Sequence, residues 1–458
     1  MIDSVVILWT DALVFLLVIA VFILALKLRR NRQFIEQWHS VFNTRVGAST
    51  AMILLAYVVI GLLDSMHFHP TQQNDEGIES QSVQVMSVLD YGLSELKNAT
   101  EKSYSAPFAR TLYVKENMVV NNIQLRGYPD LEKRAQHLSM DESVLVDALL
   151  KGVIGALLGM GSMMIIIWLI GRRNRRGFRD MFSSSSNIQW RSISITLLSI
   201  GAFMGSMLYL SSFYHVMGTD KVGQDVLYLS LKSIRTGLVI GTLTTLIMLP
   251  IAILLGIMAG YYRTWIDDII QYVYTTLNSI PGILLIAASV LMLQVIMDNN
   301  PNLFATVEER ADARLFFLCL ILGVTSWTGL CRLLRGETLK IRELDFIQAA
   351  RALGSSDITI LLRHILPNLM HIVLISIVLD FSALVLAEAV LAYVGIGVDP
   401  TMNSWGNMIN SARLEMSREP IVWWSLMAAF WFMFILVLAA NLFSDAIRDA
   451  FDPKLRSR

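Results

Sequence analysis

Two stretches of this chain, 152–171 and 236–262, are of membrane-spanning length and contain no charged residue. Hydrocarbon offers a backbone amide or carbonyl no partner, so a single segment placed there must close its own hydrogen bonds as a helix. A bilayer core about 30 Å thick needs about 20 predominantly apolar residues in that form. Nine runs qualify, within 5–26, 46–63, 152–171, 192–214, 236–260, 270–297, 315–332, 369–394 and 421–443. The first contains Asp11; the eighth contains Asp380 and Glu388. At 55% apolar and 16% charged, the 458 residues lack the charge that covers a soluble surface. The expected fold class is all-α, a polytopic membrane helix bundle of about nine spans with a small extracytoplasmic insertion domain.

The net charge is zero, but its distribution is not even. Short loops facing the cytoplasm collect Lys and Arg. Loops 27–45, 171–191, 259–268 and 332–367 and the tail 446–458 carry twenty-two such residues; 213–233, 297–313 and 396–420 carry five. Nine spans with the N-terminus outside and the C-terminus in the cytoplasm satisfy every loop, whereas an even number breaks the alternation. Val5 to Leu26 has no basic residues before it, while Lys27, Arg29, Arg30 and Arg32 follow, the charge order of an uncleaved anchor.

Residues 64–146 are polar and carry both signs of charge, so they form an extracytoplasmic insertion between the second and third spans. Thr71 to Ser80 reads as a loop. Ser87 to Ser103 has helical spacing through Val88, Tyr91, Leu93, Leu96 and Ala99. His67 and His69 flank Phe68, a pair more often solvated than metal-bound. The Arg-rich stretch Gly171 to Arg179, followed by Ser183 to Ser186, reads as a cytoplasmic linker. Cys319 and Cys331 share one span and indicate neither a disulfide framework nor a zinc site.

Within the membrane, Gly155/Gly159, Gly201/Gly205 and Gly256/Gly260 each put two small residues on one helix face, which permits close helix contact. Pro250 and Pro281 each remove a backbone hydrogen bond within a span. Trp423 and Trp424 fit an aromatic belt at the outer edge of the last span. Asp380 and Glu388 must face protein or water, either along a solute path or at a helix contact. Eight residues apart, they lie about 80° apart around the helix axis and roughly 12 Å along it.

Residues 346–367, between spans seven and eight, are longer and more regular than a connection requires. Leu344, Phe346, Ile347, Ala350 and Leu353 recur at helical spacing, with Arg342, Gln348 and Arg351 between them. Gly354 is placed to stop that helix, Ser355 or Ser356 to cap the next, and Pro367 to open span eight. Such a helix either fills a groove on a partner protein or lies on lipid, and spacing alone leaves both open.

Gln348-Ala349-Ala350, Gly354 and Leu366-Pro367 resemble the cytoplasmic EAA loop of bacterial ABC importer permeases. Gly218-Thr219-Asp220 with Gly223-Gln224-Asp225-Val226-Leu227, Glu388-Ala389 with Leu391 to Gly397, Ser404-Trp405-Gly406-Asn407-Met408, and Arg448 to Pro453 are similar in order to motifs of the C-type permease of dipeptide, oligopeptide and nickel importers. The resemblance implies a six-span core at 191–458 with a coupling loop at 335–367. Residues 1–63 then form a two-span anchor, 64–146 the outer domain, and 147–190 the third span and linker. It implies ATPase-coupling roles for Phe346, Gln348, Ala349, Ala350, Arg351, Gly354, Leu366 and Pro367. It further implies an extracytoplasmic motif of Gly218, Thr219, Asp220, Gly223, Asp225, Ser404, Trp405, Gly406 and Asn407. Two departures stand out: Gln224 where the family usually has Arg, and Gln348 at the acidic position that names the loop.

The implied function is a permease subunit of a binding-protein-dependent importer in the bacterial inner membrane. Its implied partners are a B-type permease, two cytoplasmic ATPase subunits, an extracytoplasmic solute-binding protein and the lipid bilayer, with no nucleic acid. No Gly-Lys dipeptide occurs, so a P-loop is impossible; ATP and Mg belong to the partner subunits, and this chain is expected to bind no cofactor or metal. Peptides are the expected solute, with nickel or another small solute as the alternative. An ion-coupled secondary transporter is a weaker reading, because Asp380 and Glu388 have no counterpart in the other half. No His-Glu-x-x-His or other catalytic set marks an enzyme.

Overall fold

The computed structural model describes residues 2–28, 32–73, 79–81, 85–120, 123–134, 143–173, 189–301, 304 and 306–451. Arg29, Arg30, the linker residues 174–188 and Asp452-Pro453 of the last motif lie outside the described residues. In chain order the helices are α1 (Trp9–Leu28), α2 (Arg32–Asn43), α3 (Arg45–Asp64), α4 (Val88–Gly92), α5 (Ser94–Asn98), α6 (Val144–Arg173), α7 (Trp190–Ser211), α8 (Val226–Tyr262), α9 (Trp265–Ser279), α10 (Gly282–Asn299), α11 (Val307–Ser326), α12 (Thr328–Arg342), α13 (Asp345–Ala352), α14 (Asp357–Thr359), α15 (Leu366–Tyr393), α16 (Trp405–Glu415) and α17 (Trp424–Phe451). Six short strands accompany them: β1 (Ile2–Val6), β2 (His67–Gln73), β3 (Glu79–Gln81), β4 (Met86–Ser87), β5 (Glu116–Val120) and β6 (Ile123–Gly127).

Nine segments among the described residues are long and apolar enough to cross a membrane: α1, α3, α6, α7, α8, α10, α11 with α12, the stretch 357–393, and α17. The fold is a polytopic helical bundle. Long apolar side chains such as Phe22, Leu149, Leu157 and Ile165 are exposed along α1 and α6, as a lipid-facing helix requires.

Local chemistry shifts several boundaries. The run 270–297 is two helices, α9 and α10. Pro281 disfavours helical backbone at the preceding residue, and Ile280 accordingly turns extended at ψ 130°. Pro250, in contrast, sits inside an uninterrupted α8. The basic loop 27–45 contains a helix, α2. Thr71 to Ser80 is not simply a loop, because its ends belong to the antiparallel strands β2 and β3. The helical spacing of 87–103 resolves into α4 and α5, broken at Leu93; Leu93, Leu96 and Ala99 are buried but Tyr91 is exposed. His67 and His69 lie in β2, which pairs with β1 and β4.

The described residues cluster into two compact units. The first comprises Met1–Ile7, His39–Thr236 and Asn403–Ala439. Here α6 packs along α7 through both glycine pairs. A Cβ on Gly155 would stand 2.6 Å from the Gly205 carbonyl oxygen, and one on Gly201 2.7 Å from that of Gly159. The Tyr57 hydroxyl on α3 donates to the Phe432 carbonyl at 2.8 Å.

The second unit comprises Leu8–Trp38, Gly237–Met402 and Ala440–Arg458. One core layer gathers Val239, Ile240 and Leu243 of α8 with Leu315, Leu318 and Leu322 of α11 and Leu384 and Leu391 of α15. A second gathers Met248, Ala252 and Ile257 with Cys331, Leu334, Ile347, Ile360 and Leu369. Gly256 and Gly260 let α8 reach α12, where an added Cβ would meet the Cys331 and Arg335 carbonyl oxygens at 2.8 and 2.7 Å. At the start of α1, the Thr10 amide donates to Asp312 Oδ2 at 3.0 Å and its hydroxyl to Oδ1, which ties the first span to α11.

Gly159→Val is expected to destabilise the chain by about 1–3 kcal/mol, the usual cost of forcing volume into a packed contact. Gly161→Val is the matched control, because nothing lies within 4 Å of a Cβ there. A lower thermal midpoint in detergent for the first variant alone is the expected outcome.

Candidate functional site

The motif 218–227 lies in the first unit and folds as a tight hairpin-like turn. Thr219 bridges to Asp225, the Asp220 amide donates to the Gln224 carbonyl at 3.0 Å, and the Val226 amide donates to the Gly218 carbonyl at 3.0 Å. Asp220 Oδ1 accepts from the amides of Val222 and Gln224, both at 2.9 Å. Gly218 and Gly223 have φ of +72° and +78°, a conformation that penalises any Cβ. Gly223 also abuts the Glu101 backbone, leaving no room for a side chain. Gln224 is exposed and serves the turn through its backbone, so the departure from Arg leaves the turn intact.

This turn is clasped by the insertion. The Thr219 hydroxyl donates to the Ser103 carbonyl at 2.8 Å and accepts from the Ser105 amide at 2.6 Å. Asp225 caps α8 through the Leu227 amide at 2.8 Å, while its other oxygen meets His215 Nδ1 at 2.8 Å. His215 Nε2 faces Glu101 Oε1 at 3.5 Å, and Glu101 accepts from the Glu132 and Lys133 amides, each at 2.8 Å. All three side chains of this acid–His–acid row are buried. Burial alone lowers the pKa of His215, but Asp225 and then Glu101 outweigh it and hold the imidazolium above its usual value. Burial alone raises that of Glu101, but hydrogen bonds from His215 and the two amides hold it below the usual carboxylate range.

A second buried cluster was not anticipated from the sequence. Lys232 Nζ on α8 lies 2.7 Å from Asp90 and 3.2 Å from Asp64, and the Ser87 and Tyr228 hydroxyls donate to these carboxylates at 2.7 and 2.8 Å. Burial alone raises the Asp90 pKa, but Lys232 brings it down to about 2. The available signal was Lys232, a cation on the cation-poor side, next to a span ending in Asp64.

Ser404 caps α16 by accepting from the Asn407 amide at 3.0 Å. Trp405 is buried and donates to the Ser230 carbonyl at 3.1 Å; Gly406 is buried beside it. Of the expected aromatic belt, Trp423 is exposed, but Trp424 turns inward and donates to the Thr219 carbonyl at 2.8 Å. The inward turn follows from that buried carbonyl, which needs a donor.

The segment 335–367 lies in the second unit. Helix α13 ends on Gly354 at φ +79°. The Gly354 amide donates to the Arg351 carbonyl at 3.0 Å and the Ser355 amide to Ala350 at 3.1 Å, the paired bonds of a Schellman stop. Ser356, one of the two expected caps, starts α14 by accepting from the Thr359 amide at 3.4 Å. Residues 360–365 continue as a π-helical turn, and α15 opens at Leu366-Pro367. The helix α13 has two faces. Ile347 is buried and Ala350 packs beside it on the inner core; Phe346, Ala349 and Leu353, at i, i+3 and i+7, are exposed, as is Gln348. Arg351 is exposed and lies over the Tyr261 ring at 5.2 Å, whose hydroxyl donates to Asp357 at 2.6 Å. Arg335 of α12 grips Asp267 of α9 with two bonds of 2.7 and 2.8 Å. Asp380 is half-buried and Glu388 buried, both on α15.

A bundle of membrane-spanning helices carrying the short, two-faced helix α13 between two of its spans has the form of a membrane transport component. The family described as the binding-protein-dependent transport system inner membrane component matches residues 252–457. The chain is 34% identical to the glutathione transport system permease protein GsiD of Pectobacterium atrosepticum, over 53% of this chain and 74% of that one. It is 33% identical to the oligopeptide transport system permease protein OppC of Mycobacterium tuberculosis, over 53% and 77%. It is 30% identical to the dipeptide transport system permease protein DppC of Bacillus subtilis, over 53% and 69%. The chain belongs to the binding-protein-dependent inner-membrane permease family. It is a multi-pass permease of ABC importers, not an enzyme, and the family as a class works with a partner permease, an ATPase and a solute-binding protein.

The acid–His–acid row sets a pH dependence. A His pKa raised on folding adds stability below the unfolded value of about 6.5 that is lost as pH rises through the folded value. A lowered Glu pKa adds stability above about 4.5 that is lost as pH falls through the folded value. Stability is therefore expected to be greatest between those limits and to fall on the alkaline side, measured by thermal unfolding across pH. His215→Gln should flatten the alkaline slope.

Proposed function

We propose that this chain is the C-type permease of a peptide importer, coupled through α13 to two separate ATPase subunits and paired with a B-type permease. The observation that carries the reading is the two-faced geometry of α13. Ile347 and Ala350 fix the helix to its own core, while Phe346, Ala349 and Leu353 offer an apolar edge that is exposed among the described residues. The Schellman stop and the Tyr261–Arg351–Asp357 contacts hold the C-terminal end of α13, which leads through α14 into α15, so a push on the exposed edge is passed to α15 rather than absorbed locally. ATPase closure would then bias inward- against outward-facing packings. Leu366 and Pro367 start the transmitting helix, and Gln348 and Arg351 flank the docking edge. ATP and Mg are handled by the partner subunits.

Peptide as solute is supported by the relatives' names, with nickel or another small solute as the alternative. The segment organisation is an anchor at 1–63, an outer domain at 64–146, a third span and linker at 147–190, and a six-span core at 191–458. An N-terminus outside and a C-terminus in the cytoplasm are supported by the charge asymmetry and by the antiparallel pairing of β1 with β2. That pairing holds the first residues beside the start of the outer insertion, with two spans between. In the inner membrane of intact cells, Asn117→Cys should label with an impermeant thiol reagent and Gln348→Cys should not. The reverse pattern overturns the orientation.

For coupling, Ala349→Trp on the exposed edge should lower uptake and solute-stimulated ATP hydrolysis together, at least ten-fold, in a complex that still assembles. Ala350→Trp reports instead on internal packing, because Ala350 faces the core. Arg351→Ala should have a smaller effect. Wild-type uptake and hydrolysis in assembled Ala349→Trp would remove α13 as the coupling element.

A further inference from the structure

Within the first unit, residues of 64–146 and the segment after α16 border a half-open cleft of about 400 Å3. Its walls include Tyr104, Tyr113 and Tyr128, and its charges are Lys115, Arg126 and Arg418 against the single acid Glu419. The volume falls in the range of small-molecule sites, roughly 300–1,000 Å3.

The way these groups are held is informative. The Tyr104 hydroxyl donates to Glu415 Oε1 at 3.2 Å, and the Tyr113 hydroxyl donates to the Ile421 carbonyl at 3.2 Å. Both hydroxyls are committed to the framework, so these side chains offer the cleft their rings. Tyr113 is braced further by an edge contact with Trp424, centroids 4.9 Å apart. Lys115 Nζ lies 5.4 Å from the Tyr128 ring centre and the Arg418 guanidinium 5.2 Å from that of Tyr104. Cation–π contact orients both heads along the walls without neutralising them. Among the described residues no carboxylate forms an ion pair with Lys115, Arg126 or Arg418. Arg126 stands on β6 opposite Asn117 of β5, so a two-stranded ladder sets its position.

Three cations against one carboxylate, two of the cations drawn back onto aromatic walls, form a net positive concave receptor. We propose that this cleft binds a small organic anion, a carboxylate attached to an apolar or aromatic body. The carboxylate would meet Arg126 and Arg418, for which a planar guanidinium gives two-pronged hydrogen bonding. The body would stack between the tyrosine rings, with Lys115 closing the charge balance. The site is separate from the coupling helix and does not depend on which solute the importer carries.

The test uses the full chain in lipid nanodiscs, with N-acetylphenylalanine as the probe and N-acetylphenylalaninamide as the uncharged match, followed by calorimetry or saturation-transfer NMR. Saturable binding of the acid is expected, weaker by ten-fold or more for the amide, and similarly weaker in Arg126→Gln and Arg418→Gln. Tyr128→Ala should weaken both probes, and added salt should weaken the acid alone. All three substituted side chains are exposed, so folding is preserved, and an unchanged thermal midpoint verifies it. Equal binding of acid and amide, or no saturable binding, overturns the site while leaving the importer reading untouched. If the arginine variants instead impair stimulation by the solute-binding protein and the acid does not bind, the cleft is a protein-docking surface and the proposal fails.

Discussion

Lipid tails are as apolar as leucine, so membrane helices gain little by exchanging lipid for protein; close backbone approach and polar contacts must hold them. The two units of this permease use that principle in different ways. In the first, α6 and α7 meet along paired glycines, with no side chain between the backbones at Gly159 and Gly201. In the second, Gly256 and Gly260 bring α8 onto α12, and Arg335 with Asp267 then fixes α12 to α9. Polar groups complete the packing: Thr10 on Asp312 and Lys232 between Asp64 and Asp90 near helix ends, and Tyr57 on the Phe432 carbonyl within the spans.

The buried ionic groups of the first unit join residues of 64–146 to the motif 218–227. Removing one partner of such a cluster typically costs 3–5 kcal/mol, because the other charge stays buried and unpaired. Asp225 illustrates the economy of the arrangement, since one carboxylate caps α8 and orients His215. Through Glu101 the same contact reaches the amides at 132 and 133. The insertion is thus fastened to the motif by named charges and backbone bonds, not merely tethered by the chain.

Much of the bundle was legible in the sequence, because hydrocarbon leaves a long uncharged run no other structure. The stop at Gly354, the cap at Ser356 and the helix start at Leu366-Pro367 were legible too, because φ > 0 and a missing amide are properties of single residues. The run 270–297, which the sequence placed in one span, divides into α9 and α10 at Pro281. Composition did not distinguish it from Pro250, where α8 continues. Tyr91 and Trp424 show the same limit: Tyr91 shares the apolar helical spacing of its neighbours yet is exposed, and Trp424, which fits an aromatic belt, is buried.

The sequence by itself determined the spans, the charge asymmetry across them, the stop and start signals of the segment 346–367, and the family motifs. These depend on local chemistry, on run length, Gly, Pro and charge counts. Tertiary structure alone decided which face of α13 is free and that Ala349, not Ala350, lies on it. It also decided that His215 joins Glu101 to Asp225, and that three tyrosines and three cations surround one cleft. Those groups are separated by tens to hundreds of residues, and no periodicity encodes their meeting; it follows only when packed helices and backbone bonds fix where each side chain points.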